Sequence, residues 1–148
     1  MNGNMAVNES LFPDLARTGY RLTSPPDPLY NCIAWAAGFT DAWWWPDPAG
    51  FDYWPAGVPR ERTLAAFNQA LAGVGFSPCP DDSVEPAWEK IAVYATPDGP
   101  AHAARQLPNG RWTSKLGPDD DLEHDLDGLC GAVYGSVVQL LRRPVSTP

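Results

Sequence analysis

Tyr30-Asn31-Cys32-Ile33-Ala34-Trp35-Ala36-Ala37-Gly38 is the stretch on which the fold turns. Pro25, Pro26 and Pro28 precede it; they hold the backbone extended and delay any helix. Ile33 to Ala37 then form a short apolar run that Gly38 closes, as a helix is closed. Asn31 is a good N-cap, which sets Cys32 in the first helical turn. Free backbone N–H groups and the helix dipole there favour a thiolate. Two readings of Cys32 stand side by side, a nucleophile and a small buried hydrophobe.

The chain around it has 148 residues, a length that suits one domain with a real core. Residues 1–148 read as that single domain, with 1–10 as a loose polar tail. The 17 prolines and 13 glycines set many turns between short elements. A net charge of −8 argues against a nucleic-acid partner, whose phosphates need a basic surface. Much of that charge lies between Asp119 and Asp127, read as a solvated loop running into a short helix over 121–129. Cys32, Cys79 and Cys130 are odd in number and widely spaced, which suits a reducing cytosol. The polar start lacks a secretory signal, and no run is long enough for a membrane span. The expectation is a soluble cytoplasmic protein with no membrane partner, leaving open an export route that uses no such signal.

Downstream of Gly38 the chain turns aromatic, with Phe39, Trp43-Trp44-Trp45-Pro46, Phe51, Tyr53 and Trp54. No period fits, so this reads as a long ordered loop that packs down, with one or two tryptophans at the rim of a cleft. Consecutive Trp43, Trp44 and Trp45 in an extended segment must face alternate ways. At least one of them is expected to line a cleft beside Cys32. Leu64, Phe67, Leu71 and Val74 form one apolar helical stripe opening near Pro59-Thr63 and ended by Gly73 and Gly75. Cys79 lies in the polar connection that follows, with no evident base nearby.

Strands follow, at 90–95, 101–107 and 111–116, the last two joined through the hairpin signal Asn109-Gly110, with a final strand or pair over 132–141. Helices first and a meandering antiparallel sheet after make an α+β arrangement. A helix-borne cysteine needs a base held against it. His102 opens a strand and is the candidate, though a lone strand histidine is ordinarily structural. His124 reads as a local contact in the acidic segment.

Asn31-Cys32-Ile33-Ala34, then the run from His102 through Asn109-Gly110 to Trp112, resembles the NlpC-type cysteine peptidases of the papain-like superfamily. That family opens its central helix with Asp-Cys-Ser-Gly and its strand with a histidine. The resemblance implies a papain-like α+β fold, with Cys32 as nucleophile and His102 as general base. It also implies Ser114 as the residue orienting the imidazole, and Tyr20 with the Cys32 N–H as oxyanion donors. Asn31 stands where the family has aspartate, and Ser114 where it has His, Asn or Asp. The segment Tyr30 to Ala36, with Trp43-Trp44-Trp45-Pro46 and Trp112 to Gly117, also resembles a group of small bacterial proteins. The implied activity is a cysteine hydrolase or acyltransferase, read here as acting on a peptide or other amide. The Trp-rich loop has no counterpart in that family, and Asn31, Trp43, Trp44 and Trp45 are expected as substrate contacts from their place beside Cys32. No cofactor and no metal enter this reading. The alternative is a binding or regulatory module on the same fold, working through its Trp-rich loop.

Overall fold

The computed structural model describes residues 10–24, 27–116 and 120–145. Residues 1–9 of the tail expected over 1–10 lie outside them, as do Pro25, Pro26, 117–119 and 146–148. In chain order the elements are α1 (Pro13–Thr18), β1 (Tyr20–Ser24), α2 (Cys32–Ala37), α3 (Leu64–Ala72), β2 (Ser77–Pro78), β3 (Trp88–Thr96), β4 (Gly99–Gln106), β5 (Trp112–Lys115) and β6 (Asp121–His124). A 3-10 turn (Leu126–Leu129) and β7 (Ser136–Pro144) complete the chain. All strands join one antiparallel sheet in the order β1-β6-β5-β4-β3-β7-β2. Strands β3 to β6 form a meander, β1 adds outside β6, and β7 crosses over to pair with β3. The architecture is α+β.

Strand β3 sits in the middle because it can be covered on both faces: Lys90 to Tyr94 are all buried. Ile91 and Val93 alternate toward one side, where Ala103, Leu141, α2 and α3 build a first core cluster. Ala92 and Tyr94 alternate toward the other, with Leu15, Ala104, Trp112, Leu122 and Leu129. Helix α2 lies against β4 and β5. Its Ala34, Ala36 and Ala37 are small enough to bring the helix close, while Ile33 fills the contact and is fully buried. Burying one such side chain contributes roughly 1.5–3 kcal/mol. Asn31 caps α2 by accepting from the Ala34 N–H, and Gly38 closes it at φ +95°, a conformation that favours glycine. Thr63 caps α3 in the same way, so that helix starts after Pro59 to Arg62 and not among them.

The stretch ahead of α2, for which no element was expected, holds strand β1, and the acidic segment departs from expectation: it is no helix over 121–129 but strand β6 followed by the 3-10 turn. The reason lies in alternation: Leu122 and His124 point inward beside Trp112 and Ser114, while Glu123 meets Arg21 and Arg111 at 3.0 and 3.2 Å. Opposite charges and two ladders, to β1 and β5, hold as a strand what its acidity marked as a loop.

Candidate active site

Cys32 stands in the first turn of α2 and is 6% exposed. Burial pushes its thiol up to about 11, while the backbone N–H groups of Ala103, Ile33 and Cys32 itself pull the other way. The thiol is therefore neutral at neutral pH. Desolvation outweighs the helix terminus, contrary to the thiolate that the sequence position favours. The Ala103 contact also fixes the thiol on the map, against β4 at the residue next to His102.

His102 is fully buried, as are Ser114 and His124. His102 Nε2 lies 2.9 Å from Ser114 Oγ, and the same hydroxyl lies 2.7 Å from His124 Nε2. His124 Nδ1 in turn donates to the Asp125 carbonyl at 2.7 Å. The three side chains come from β4, β5 and β6, three successive strands of the meander, on one face of the sheet. Burial, then repulsion from His124, holds His102 well below the usual imidazole range. Burial lowers His124 to about 4, against the smaller upward pull of the Asp125 carbonyl. His102 Nδ1 is buried and, among the described residues, has no hydrogen-bond partner. The thiol–imidazole hydrogen bond that the sequence reading called for is thus not formed. The His102 ring lies against Tyr94, at 5.2 Å between centroids, and stacks on Tyr134.

A cavity of about 290 Å³ opens over the thiol, lined by Asn31, Cys32, Trp43, Trp45, Ala101 and Tyr134. The tryptophans divide as an extended run must. Trp43 and Trp45 face the cavity; Trp44 turns into the core against Phe39 and Tyr53, 4% exposed. Asn31 sets this arrangement. Its Oδ1 accepts from the N–H groups of Ala34 and Trp44, and its Nδ2 donates to the Trp44 carbonyl at 2.7 Å. The aromatic loop is thereby clamped to the start of the cysteine helix. A parallel bridge between Trp44 and Tyr53 and the Asp47–Arg60 pair, at 3.1 Å, hold the rest of the loop. Trp45 packs edge-on to Phe67, and Arg62 lies over its ring.

Of the residues singled out in the sequence, the structure gathers Asn31, Cys32, Trp43 and Trp45 at one cavity and joins His102 to Ser114. Trp44 is packed behind the cavity wall. Tyr20 opens β1, paired in register with His124 and half-buried against the second cluster, and it does not line the cavity. Sequence reasoning took His124 for a local contact and did not single out Tyr134. The Leu122/His124 alternation was the signal for the first; nothing local marks Tyr134, which a turn brings in from after the 3-10 turn.

A larger groove, about 550 Å³, lies where residues 84–89 face 105–108 and includes Glu85, Trp88 and Arg105, with no cysteine or histidine in its lining. Among the described residues no cluster of His, Cys, Asp and Glu could hold a metal ion, and no helix is long and apolar enough to cross a membrane. No curated protein and no solved structure shows significant similarity to the chain. Residues 21–142, from β1 to β7, match a family described as a domain of unknown function, DUF7689. That match takes in the cysteine helix, the aromatic loop and all three strands of the buried chain, and the protein belongs to this family.

Proposed function

We propose that the protein is a cysteine hydrolase or acyltransferase with a papain-like site, acting on an amide or related acyl bond held between Trp43, Trp45 and Tyr134. The observation that carries this reading is His102: its Nε2 is engaged by Ser114, while its buried Nδ1 is unpartnered among the described residues, one residue from the backbone N–H that meets the Cys32 thiol. A neutral thiol and a neutral imidazole suit general-base activation, not a standing thiolate–imidazolium pair.

In this reading the Cys32 proton passes to His102 Nδ1 as sulfur bonds to the substrate carbonyl carbon. Backbone N–H groups around the thiol, those of Ala103, Ile33 and Cys32, are the candidate donors for the oxyanion. The C–N bond breaks, the leaving amine takes the proton from His102, and an acyl group remains on sulfur as a thioester. Water or a second amine, deprotonated by the same imidazole, then releases it. Tyr20, set beside His124, plays no part in these steps.

The burial of Cys32 favours a second reading, in which the same aromatic cavity binds a partner and the thiol is filler. Mixing the protein with an activated ester such as p-nitrophenyl acetate separates the two. The hydrolase reading expects one acetyl group on Cys32 by peptide mass spectrometry, absent in Cys32→Ala and strongly slowed in His102→Gln. Failure to acetylate Cys32 while the protein still binds an aromatic amide would favour the binding module.

A further inference from the structure

We propose that His124, acting through Ser114, is a positioning residue that decides which nitrogen of His102 carries the proton, leaving Nδ1 bare to serve as the base. The proposal builds on the hydrolase reading above, but its core is a statement about protons that holds without any substrate.

One end of this hydrogen-bond chain is held by a group that cannot change role. The Asp125 carbonyl only accepts, so His124 Nδ1, 2.7 Å away, must carry its proton. A neutral imidazole has a single N–H, so His124 Nε2 is a lone pair and accepts. Its partner at 2.7 Å is Ser114 Oγ, whose one hydroxyl proton must therefore point at His124. Ser114 then meets His102 only as an acceptor, and His102 Nε2, at 2.9 Å, must be the protonated nitrogen. His102 is neutral as well, which leaves Nδ1 without a proton and, among the described residues, without a partner. Three hydrogen bonds run in one direction because a backbone carbonyl anchors the far end.

All three side chains are fully buried, so no solvent molecule competes to reverse the chain. The charged groups facing His124 are the Asp125 and Glu123 carboxylates and the Arg111 guanidinium, which bridges them at 2.9 and 3.2 Å. Arg21, from β1, holds the other carboxylate oxygen of Glu123, and Tyr20 is His124's register partner. Around His102 the facing groups are the phenols of Tyr94 and Tyr134. Protonating His124 makes both of its nitrogens donors. Ser114 must then turn its hydroxyl toward His102, whose proton moves to Nδ1, and the base is lost. The chain thus carries its own acid cut-off.

Nitrogen NMR on the full-length protein with 15N-labelled histidine reads the tautomer directly. The wild type is expected to show His102 protonated on Nε2 and bare on Nδ1. His124→Gln, whose side-chain carbonyl can take the Ser114 proton, keeps that tautomer. His124→Phe, with no acceptor, shifts His102 toward the Nδ1–H form and slows Cys32 acetylation on the order of 100-fold or more, as a wrong imidazole tautomer does. A wild-type His102 already protonated on Nδ1 overturns the proposal, and so does a tautomer indifferent to His124→Phe. The wild-type spectrum decides even where the Phe variant does not fold. Correct tautomers with no acetylation of Cys32 would leave the proton chain standing and sink the hydrolase reading; acetylation with the other tautomer would do the reverse.

Discussion

The ring of His102 lies flat on that of Tyr134, with centroids 4.0 Å apart and planes within 10°. Tyr134 reaches that position from a tight turn in which Gly131 and Gly135 exchange backbone hydrogen bonds of 2.9 and 2.7 Å. Gly135, at φ +77°, presses against the Ala95 carbonyl so closely that a Cβ would sit 1.9 Å from its oxygen. The lid over the imidazole therefore depends on a missing side chain. Tyr134→Ala should admit water to His102 and raise its pKa toward the ordinary imidazole value, because burial is what holds it down. Tyr134→Phe should leave it low. Histidine NMR titrations of the two variants check this, and an unchanged titration in Tyr134→Ala would mean that the strands alone keep the ring dry.

The same burial makes stability depend on pH at both ends. His102 and His124 have folded values below 6.5, so stability is full above that point and is lost as pH falls through their folded values, about 4 for His124. The His124 share is on the order of 3 kcal/mol, fully lost only below pH 4. Cys32 and Tyr30 are raised to about 11 and about 12, chiefly by burial, so stability also declines as pH rises through those values. Urea unfolding from pH 4 to 11 should trace a dome. His124→Gln should flatten its acid limb; a limb unaffected by that change would place the acid sensitivity elsewhere.

Trp43 and Trp44 are neighbours with opposite duties. Trp44→Ala removes a buried ring packed on Phe39 and Tyr53 and should cost about 3–5 kcal/mol of stability. Trp43→Ala should leave stability nearly unchanged and weaken binding of an aromatic amide by about 1–3 kcal/mol. Calorimetry and thermal melts on both variants distinguish wall from scaffold.

Asn31 joins the cysteine helix to this loop through three hydrogen bonds. Asn31→Ala should cost about 1–3 kcal/mol, from the lost cap and the unsatisfied Trp44 backbone groups. Asn31→Asp keeps both acceptor contacts but faces the Trp44 carbonyl with another acceptor. It should therefore loosen the loop more than it disturbs α2, which tryptophan fluorescence and hydrogen exchange would separate.

The parts of this site that were legible in the sequence are the ones that local rules fix. Asn31 as cap, Gly38 as stop, the α3 stripe and the Asn109-Gly110 hairpin all follow from neighbours in sequence. The His102–Ser114 pairing was reached by resemblance, and the strands place it. What escaped was long-range. β1 and β6 form because each pairs with the other, and neither announces itself alone. The acidity of Asp121 to Asp127 hid the inward-facing His124 among outward charges. The neutral Cys32 thiol could not be read from its helix position, since its burial in the first core cluster is a property of the assembled fold.

The central claim is that Cys32 is a nucleophile whose proton is taken by His102. The rate of Cys32 acetylation by p-nitrophenyl acetate, followed from pH 4 to 10 in wild type and His102→Gln, tests it most directly. General-base activation by a neutral imidazole predicts a wild-type rate that is nearly level across neutral pH and falls only in acid, as His102 or His124 protonates. In His102→Gln the rate should drop about 10²–10⁴-fold at pH 7 and climb tenfold per pH unit, following the small thiolate fraction of a thiol raised to about 11. Coinciding profiles in the two proteins, or a wild-type rate that simply climbs with pH, would contradict the account.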